Sequence, residues 1–322
     1  MTERSILFSP PLAAANRANA NPKTPQVKTQ TRRLAGLEAV NKKPDQWALD
    51  KISIDEKGKL IADFIDSGYF VNDFEHIKCP YGVPGDLLYI KEEHYAFGNW
   101  NLTGAKTKKG ADKWAFKADP NYPIRFNDNP PPNPGISVDK TGQLNWFKRN
   151  SLHMPKAYAA QWLIIENIRV ERLASISEAD AIQEGIRLLG NENEGWWDVD
   201  YKNYLIPSEL TGLTNPVSSF KTLIQSIHGT DIWSHNPWVW VIDYWPLSFD
   251  GRPSESFIKS AREQIYTDLQ TQSNRHSEEG NCAKATIHDR ENPSVQTSSD
   301  SEQIVSGFAT HNDGSIKQPL TL

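Results

Sequence analysis

Along this chain, apolar and polar positions alternate with a period of two in several short runs bounded by proline, glycine or small polar residues. That is the pattern of half-buried strands. Ser5-Ile6-Leu7-Phe8-Ser9 is the first run, ended by Pro10-Pro11, and the Ala- and Asn-rich stretch from Leu12 to Asn21 suits a short helix. Val27 to Arg33 (VKTQTRR) is β-prone, with Thr29, Thr31 and Arg33 on one face and Lys28, Gln30 and Arg32 on the other. Dense turn chemistry from Cys79 to Asp86 feeds a strand over Leu87–Glu92. Gln161–Leu173 is the longest β pattern, and Trp238–Tyr244 reads as a closing strand. The period lengthens to that of a helix in two places. Ser177-Glu178-Ala179-Asp180 opens a short helix that runs to Glu184 and is closed by Gly185. Phe220, Leu223, Ile224 and Ile227 form one apolar stripe over Val217–Ile227, with Gly229 just beyond.

Short strands with few helices between them, and no strand-helix-strand rhythm, predict an α+β fold or small barrel rather than a parallel sheet. The spacing predicts one domain over residues 1–247 with insertions near 34–78, 97–150 and 187–216. Composition supplies the boundary: all 11 tryptophans precede residue 250. Residues 248–322 are dominated by Ser, Glu, Gln, Asn and Thr, which bury too little apolar surface to offset ordering entropy, so a disordered polar tail is expected.

The net charge of −5 is spread over a nearly neutral domain and an acidic tail, with a local basic stretch in residues 1–33. Such a stretch fits a confined anionic ligand better than a long phosphate track. The two cysteines, Cys79 and Cys282, lie far apart in the chain and have no metal-ligand company. No apolar run reaches the ~20 residues of a membrane span, so a cytoplasmic location is expected. Neither a glycine-rich phosphate loop, nor a nucleophile elbow, nor a histidine pair at metal spacing occurs, so no metal or cofactor is expected.

What remains is VKTQTRR. Lys28, Thr31 and Arg33 stand at the spacing of the lysine-containing motif of the ASCH family, within the PUA-like superfamily. The order of later blocks also fits: Gly85–Ile90, Ser151-Leu152-His153-Met154-Pro155, Val170-Glu171-Arg172-Leu173, the segment Ile176–Ile186, and Asn236–Val241. In this combination the chain resembles the enlarged ASCH-like proteins of bacteriophage and prophage genomes. It departs from their pattern at Gln26, where a glycine is usual.

The resemblance implies a PUA-like mixed β-barrel with short flanking helices. The implied partner is RNA, a modified nucleobase or a nucleoside, held by Lys28, Arg32 and Arg33. One bacterial branch of the family is an amidohydrolase that removes acyl groups from the exocyclic amine of cytidine. Its lysine, threonine and glutamate correspond to Lys28, Thr31 and Glu184 here. A lysine beside Arg33 in a desolvated pocket would be a usable base, activating the threonine hydroxyl, with the glutamate relaying a proton. Because residues three apart on a regular strand face opposite sides, Lys28 must precede the strand or a bulge must intervene. A non-catalytic recognition module competes with the hydrolase, and a nuclease ranks behind both. Plainer roles exist as well, with Lys28 and Arg33 as edge-strand charges and Glu184 as a surface helix residue.

Overall fold

The computed structural model describes residues 2–20, 28–68, 73–189, 200–206 and 212–288, with side chains to residue 271. The chain is α+β and divides into two compact units, Met1–Leu269 and Gln270–Leu322. In the first unit, β1 (Glu3–Leu7) leads into α1 (Pro10–Ala18), which starts on its two prolines, and then β2 (Gln30–Arg33). Next come β3 (Trp47–Ile54), β4 (Leu60–Asp66) and β5 (Phe74–Lys78), then β6 (Leu87–Lys91). The strands β7 (His94–Lys106), β8 (Asp112–Ala118), β9 (Arg125–Phe126) and β10 (Asn145–Arg149) follow. Then β11 (Trp162–Arg172), α2 (Glu178–Gln183), and the short pair β12 (Tyr201–Lys202) and β13 (Gly212–Leu213). The chain continues through α3 (Pro216–His228), α4 (Ile232–His235), β14 (Trp238–Ser248) and α5 (Glu255–His288).

A five-stranded sheet in the order β1-β6-β11-β14-β2 forms the centre. β1 runs parallel to β6 and is pinned by Asp86, whose Oδ1 accepts from the Thr2 N–H at 2.8 Å. β11 and β14 pair antiparallel along most of their length, with register shifts at Trp162/Leu163 and Ile165/Asn167. Trp240, Ile242, Tyr244, Ile168 and Val170 are buried here with Phe220 and Leu223 of α3. Both helices in this region are capped at their N-termini by side chains, the first as its sequence announces. Ser177 Oγ accepts from Asp180 N at 3.1 Å, and Asn215 Oδ1 from Ser218 N at 3.0 Å. Gly185 and Gly229 both adopt positive φ, +79° and +93°.

The expected barrel does not close among the described residues: β1 and β2 are the two ends of the sheet and do not pair. Side chains fill the seam instead, with the Arg33 guanidinium 5.0 Å over the Phe8 ring. Strands must approach to ~4.8 Å to share a ladder, and this packing keeps them apart.

The expected insertions are more ordered than their sequence suggested. Residues 34–78 contain the three-stranded sheet β3-β4-β5, and residues 94–149 hold β10-β7-β8, with β9 on β7. The segment 187–216 contains β12 and β13, with residues 190–199 and 207–211 outside the described residues.

The tail boundary needs correction. Residues 255–269 are helical and pack through Ile258 and Ile265, both fully buried, onto Leu87, Met154, Ala159, Trp162 and Ile164. Ile258, Ala261, Ile265 and Leu269 make a sparse helical stripe within a polar segment, enough to cover one face of the sheet. The second unit is helical to His288, and residues 289–322 of the expected tail lie outside the described residues. No described helix is long and apolar enough to cross a membrane. Cys79, after β5, is buried, and burial pushes its thiol up to about 11.

Candidate functional site

β2 is an edge strand, and its pairing with β14 fixes which side chains share a face. Arg33 lies opposite Trp240, Thr31 opposite Ile242, Arg32 opposite Val241 and Gln30 opposite Asp243. Thr31 and Arg33 therefore share one face with Trp240 and Ile242. Gln30 and Arg32 point to the other, where α2 lies. Lys28 precedes the strand, as the geometry of a three-residue spacing required.

Lys28 is wholly withdrawn from solvent. Its ammonium donates to the carbonyls of Gln30 and Glu184, both at 2.7 Å, and to Glu184 Oε2 at 3.2 Å. An ammonium has three protons, so this set exhausts its donors. Burial lowers the Lys28 pKa to about 8, opposed by the Glu184 carboxylate and assisted by Arg33 and Arg32. Glu184 is also buried and sits at the C-terminal cap of α2. The backbone is held close by Gly185, where a Cβ would stand 2.9 Å from both Lys28 Cβ and Lys28 Cδ.

Arg32 joins the same cluster from the strand. It reaches Glu184 Oε1 at 3.4 Å, Glu171 Oε2 at 3.2 Å and Asp180 Oδ2 at 3.0 Å, and Gln30 Oε1 accepts from its Nη1. Arg169 extends the network by bridging Asp180 and Asp243 at 3.0 and 2.6 Å. The structure thus joins Lys28, Arg32 and Glu184 into one buried ionic cluster. Thr31 is not hydrogen-bonded to it: its hydroxyl is buried and has no partner.

Arg33 differs from its neighbours. Its Nε and Nη2 are buried without a hydrogen-bond partner, and no carboxylate among the described residues pairs with it. Burial lowers its pKa, although a guanidinium remains charged at any ordinary pH. Arg33 lines a cavity of about 470 Å³ with Arg32, Phe8, Ser9, Ile224 and His228. Ser9 Oγ and Arg32 Nε are also buried without partners. Three of the residues that line the cavity thus carry four buried polar atoms without partners among the described residues, each at a desolvation cost. Burial lowers the His228 pKa, and the nearby Arg33 charge lowers it further. Of the three residues expected to bind ligand, Arg32 and Arg33 line this cavity and Lys28 does not.

No family model, curated protein or solved structure matches this chain. The chemistry must therefore be read from the side chains themselves.

A second buried network escaped the sequence reading. Tyr244 Oη donates to Asn16 Oδ1 at 3.1 Å, and Asn16 Nδ2 donates to Gln161 Oε1 at 2.8 Å. Gln161 Nε2 then donates to Glu92 Oε1 at 2.8 Å, which also takes Arg17 Nη2 at 2.5 Å. It ties α1 to β14 and to the residues flanking β6 and β11. Isolated polar residues in apolar or Ala-rich runs were the only signal in the sequence. Among the described residues, no group of three or more His, Cys, Asp or Glu is placed to hold a metal ion.

Proposed function

We propose that this chain is a nucleic-acid or nucleoside-binding protein of the ASCH-like, PUA-like type, holding an anionic or carbonyl-rich part of its ligand against Arg33. One observation carries the reading: Arg33, a half-buried arginine without a hydrogen-bond or carboxylate partner among the described residues, lines a cavity of about 470 Å³. A cavity of this volume is of the size that takes small ligands. Phe8 and the apolar side chains of α3 give a base somewhere to pack, and the guanidinium, Ser9 and His228 supply the polar contacts. Arg32 is fixed by carboxylates and helps set the shape of the wall. The test is calorimetric titration with cytidine, uridine and their monophosphates, on wild type and Arg33→Met. Binding that Arg33→Met abolishes supports the proposal, and no binding of any of them removes it.

The amidohydrolase reading keeps one observation in its favour, the buried contact of Lys28 with Glu184. In that scheme Thr31 Oγ attacks the acyl carbon while Lys28 takes its proton. The C–N bond to the exocyclic amine breaks as Glu184 passes a proton to the leaving nitrogen, and water then hydrolyses the acyl-threonine. To serve as base Lys28 must first lose a proton, because as an ammonium it has three donors, all engaged, and no lone pair. Incubation with acylated cytidines, followed by chromatography, tests it. Release of free cytidine that is lost in Thr31→Val supports hydrolysis, and stable substrate overturns it.

A further inference from the structure

Residues 94–149 carry nine lysines and arginines against four aspartates and no glutamate, a balance of +5 in a chain whose net charge is −5. This is the segment built into β7–β10, away from the Arg33 cavity chemistry described above. We propose that this sheet is an arm that binds single-stranded nucleic acid.

The register assigns the faces. Asn99 lies opposite Lys117, Asn101 opposite Ala115, Phe97 opposite Trp146 and Tyr95 opposite both Lys148 and Arg125. Residues paired in this way share a face, so Phe97, Trp146, Arg125, Lys117 and, by alternation, Lys113 lie on the same side of the sheet. Tyr122 adds a further ring to it, its centroid 4.0 Å from Phe97 and inclined by only 31°. Trp146 stands edge-on to both, and the Arg125 guanidinium lies 4.9 Å over the Trp146 ring. Tyr122 is 44% exposed, so the ring stack ends in solvent where a base can continue it.

Most of these cations are not consumed by internal ion pairs. Lys106 pairs with Asp112 at 2.6 Å and Lys148 with Glu93 at 2.9 Å. Lys113, Lys117 and Arg125 have no carboxylate partner among the described residues, nor do Lys108 and Lys109 at the hairpin tip. The acids nearby are occupied locally: Asp119 accepts from Asn121, and Asp139 from Thr141. A merely solvated face would not need the charge to be concentrated in one segment of an otherwise acidic chain. Free cations interleaved with stackable rings match an unpaired strand, whose phosphates and bases are both accessible. A duplex offers only its phosphates to such a flat surface.

The test is fluorescence anisotropy of the full chain with oligo(U) and oligo(dT), titrated from 50 to 200 mM salt. Binding of either oligonucleotide, steeply weakened by salt, is expected, and a preference between them identifies the sugar. Lys113→Gln with Lys117→Gln should reduce the slope of log K against log salt by about 1.4, at roughly 0.7 per lost phosphate contact. Tyr122→Ala should weaken binding roughly ten-fold through lost stacking. All three positions are solvent-facing, and an unchanged melting temperature shows that the variants fold. Absence of binding to both oligonucleotides at 50 mM salt overturns the proposal, as does retention of heparin alone. A duplex bound as tightly as the single strand overturns it too. Binding lost in Arg33→Met but untouched in the arm variants would place the strand at the cavity and likewise overturn it.

Discussion

Lys28 Nζ lies 3.2 Å from Glu184 Oε2 with both side chains withdrawn from solvent, joining the approach to β2 with the end of α2 across 156 positions of sequence. Breaking such a pair from one side leaves a buried charge without its partner. Lys28→Met is expected to destabilise the fold by about 3–5 kcal/mol, and Lys28→Met/Glu184→Gln by less than either single change would suggest by addition. Urea unfolding of the four proteins measures both effects.

The same lysine sets a pH dependence. Its folded-state pKa, about 8, lies below the ordinary value of 10.5, so between those values the unfolded chain binds more protons than the folded one. Stability from this group is therefore constant below about pH 8 and rises from there towards pH 10. The stability difference between wild type and Lys28→Met should widen in favour of wild type as pH is raised from 8 to 10. A difference that stays flat or narrows refutes this assignment of the depressed pKa.

Arg33 is expected to trade stability for binding. A half-buried guanidinium with two buried, unsatisfied nitrogens costs more than an apolar side chain of similar length. Arg33→Met should raise the unfolding free energy by about 1–2 kcal/mol while removing ligand affinity. A second readout comes from His228, whose neighbours on the cavity wall are Arg32, Arg33 and Glu93. An anion seated there should raise the His228 pKa, visible in its ring proton shifts on titration, whereas a neutral ligand should not.

Ile265, on the inner face of α5, is wholly buried. Ile265→Ala should cost about 2–5 kcal/mol, the range for deleting buried aliphatic side chains. Truncation after Asp250 should cost at least as much, because it uncovers Trp162, Met154 and Leu87 together. A melting curve that does not move in either protein would mean that α5 is not docked in solution.

Gly185→Ala is expected to be costly beyond its one added methyl. The position has φ +79°, and the new Cβ would press on the Lys28 stem and on Ala15. A loss of about 1–3 kcal/mol should appear in chemical denaturation, whereas Gly229→Ala, with open space around it, should lose less.

The parts of this architecture legible in the sequence are those with strong local periodicity. β11, β14 and α3 each bury one face, so their apolar spacing is regular, and the cap Ser177 marks where α2 begins. β7 and β8 were illegible because their outer halves are exposed: Asn101 to Lys106 is exposed throughout and leaves no alternation to read. The docking of α5 rests on four side chains spaced along a polar helix, a signal that composition averages away. At the site, the motif in β2 pointed to the residues but not to their sides. Edge pairing with β14 separates Arg32 from Arg33, and only that register shows that one is spent on carboxylates while the other is left free.

The order of strands in the central sheet has a consequence for synthesis. β2 leaves the ribosome early but pairs only with β14, about 210 residues later. At the usual 5–20 residues per second, the nascent strand waits roughly 10–40 s for its neighbour. During that interval Lys28 lacks Glu184 for most of the time, and Arg33 and Thr31 have no sheet to lie on. A chain interrupted anywhere before Trp238 leaves the ribosome with its motif translated and its site unbuilt.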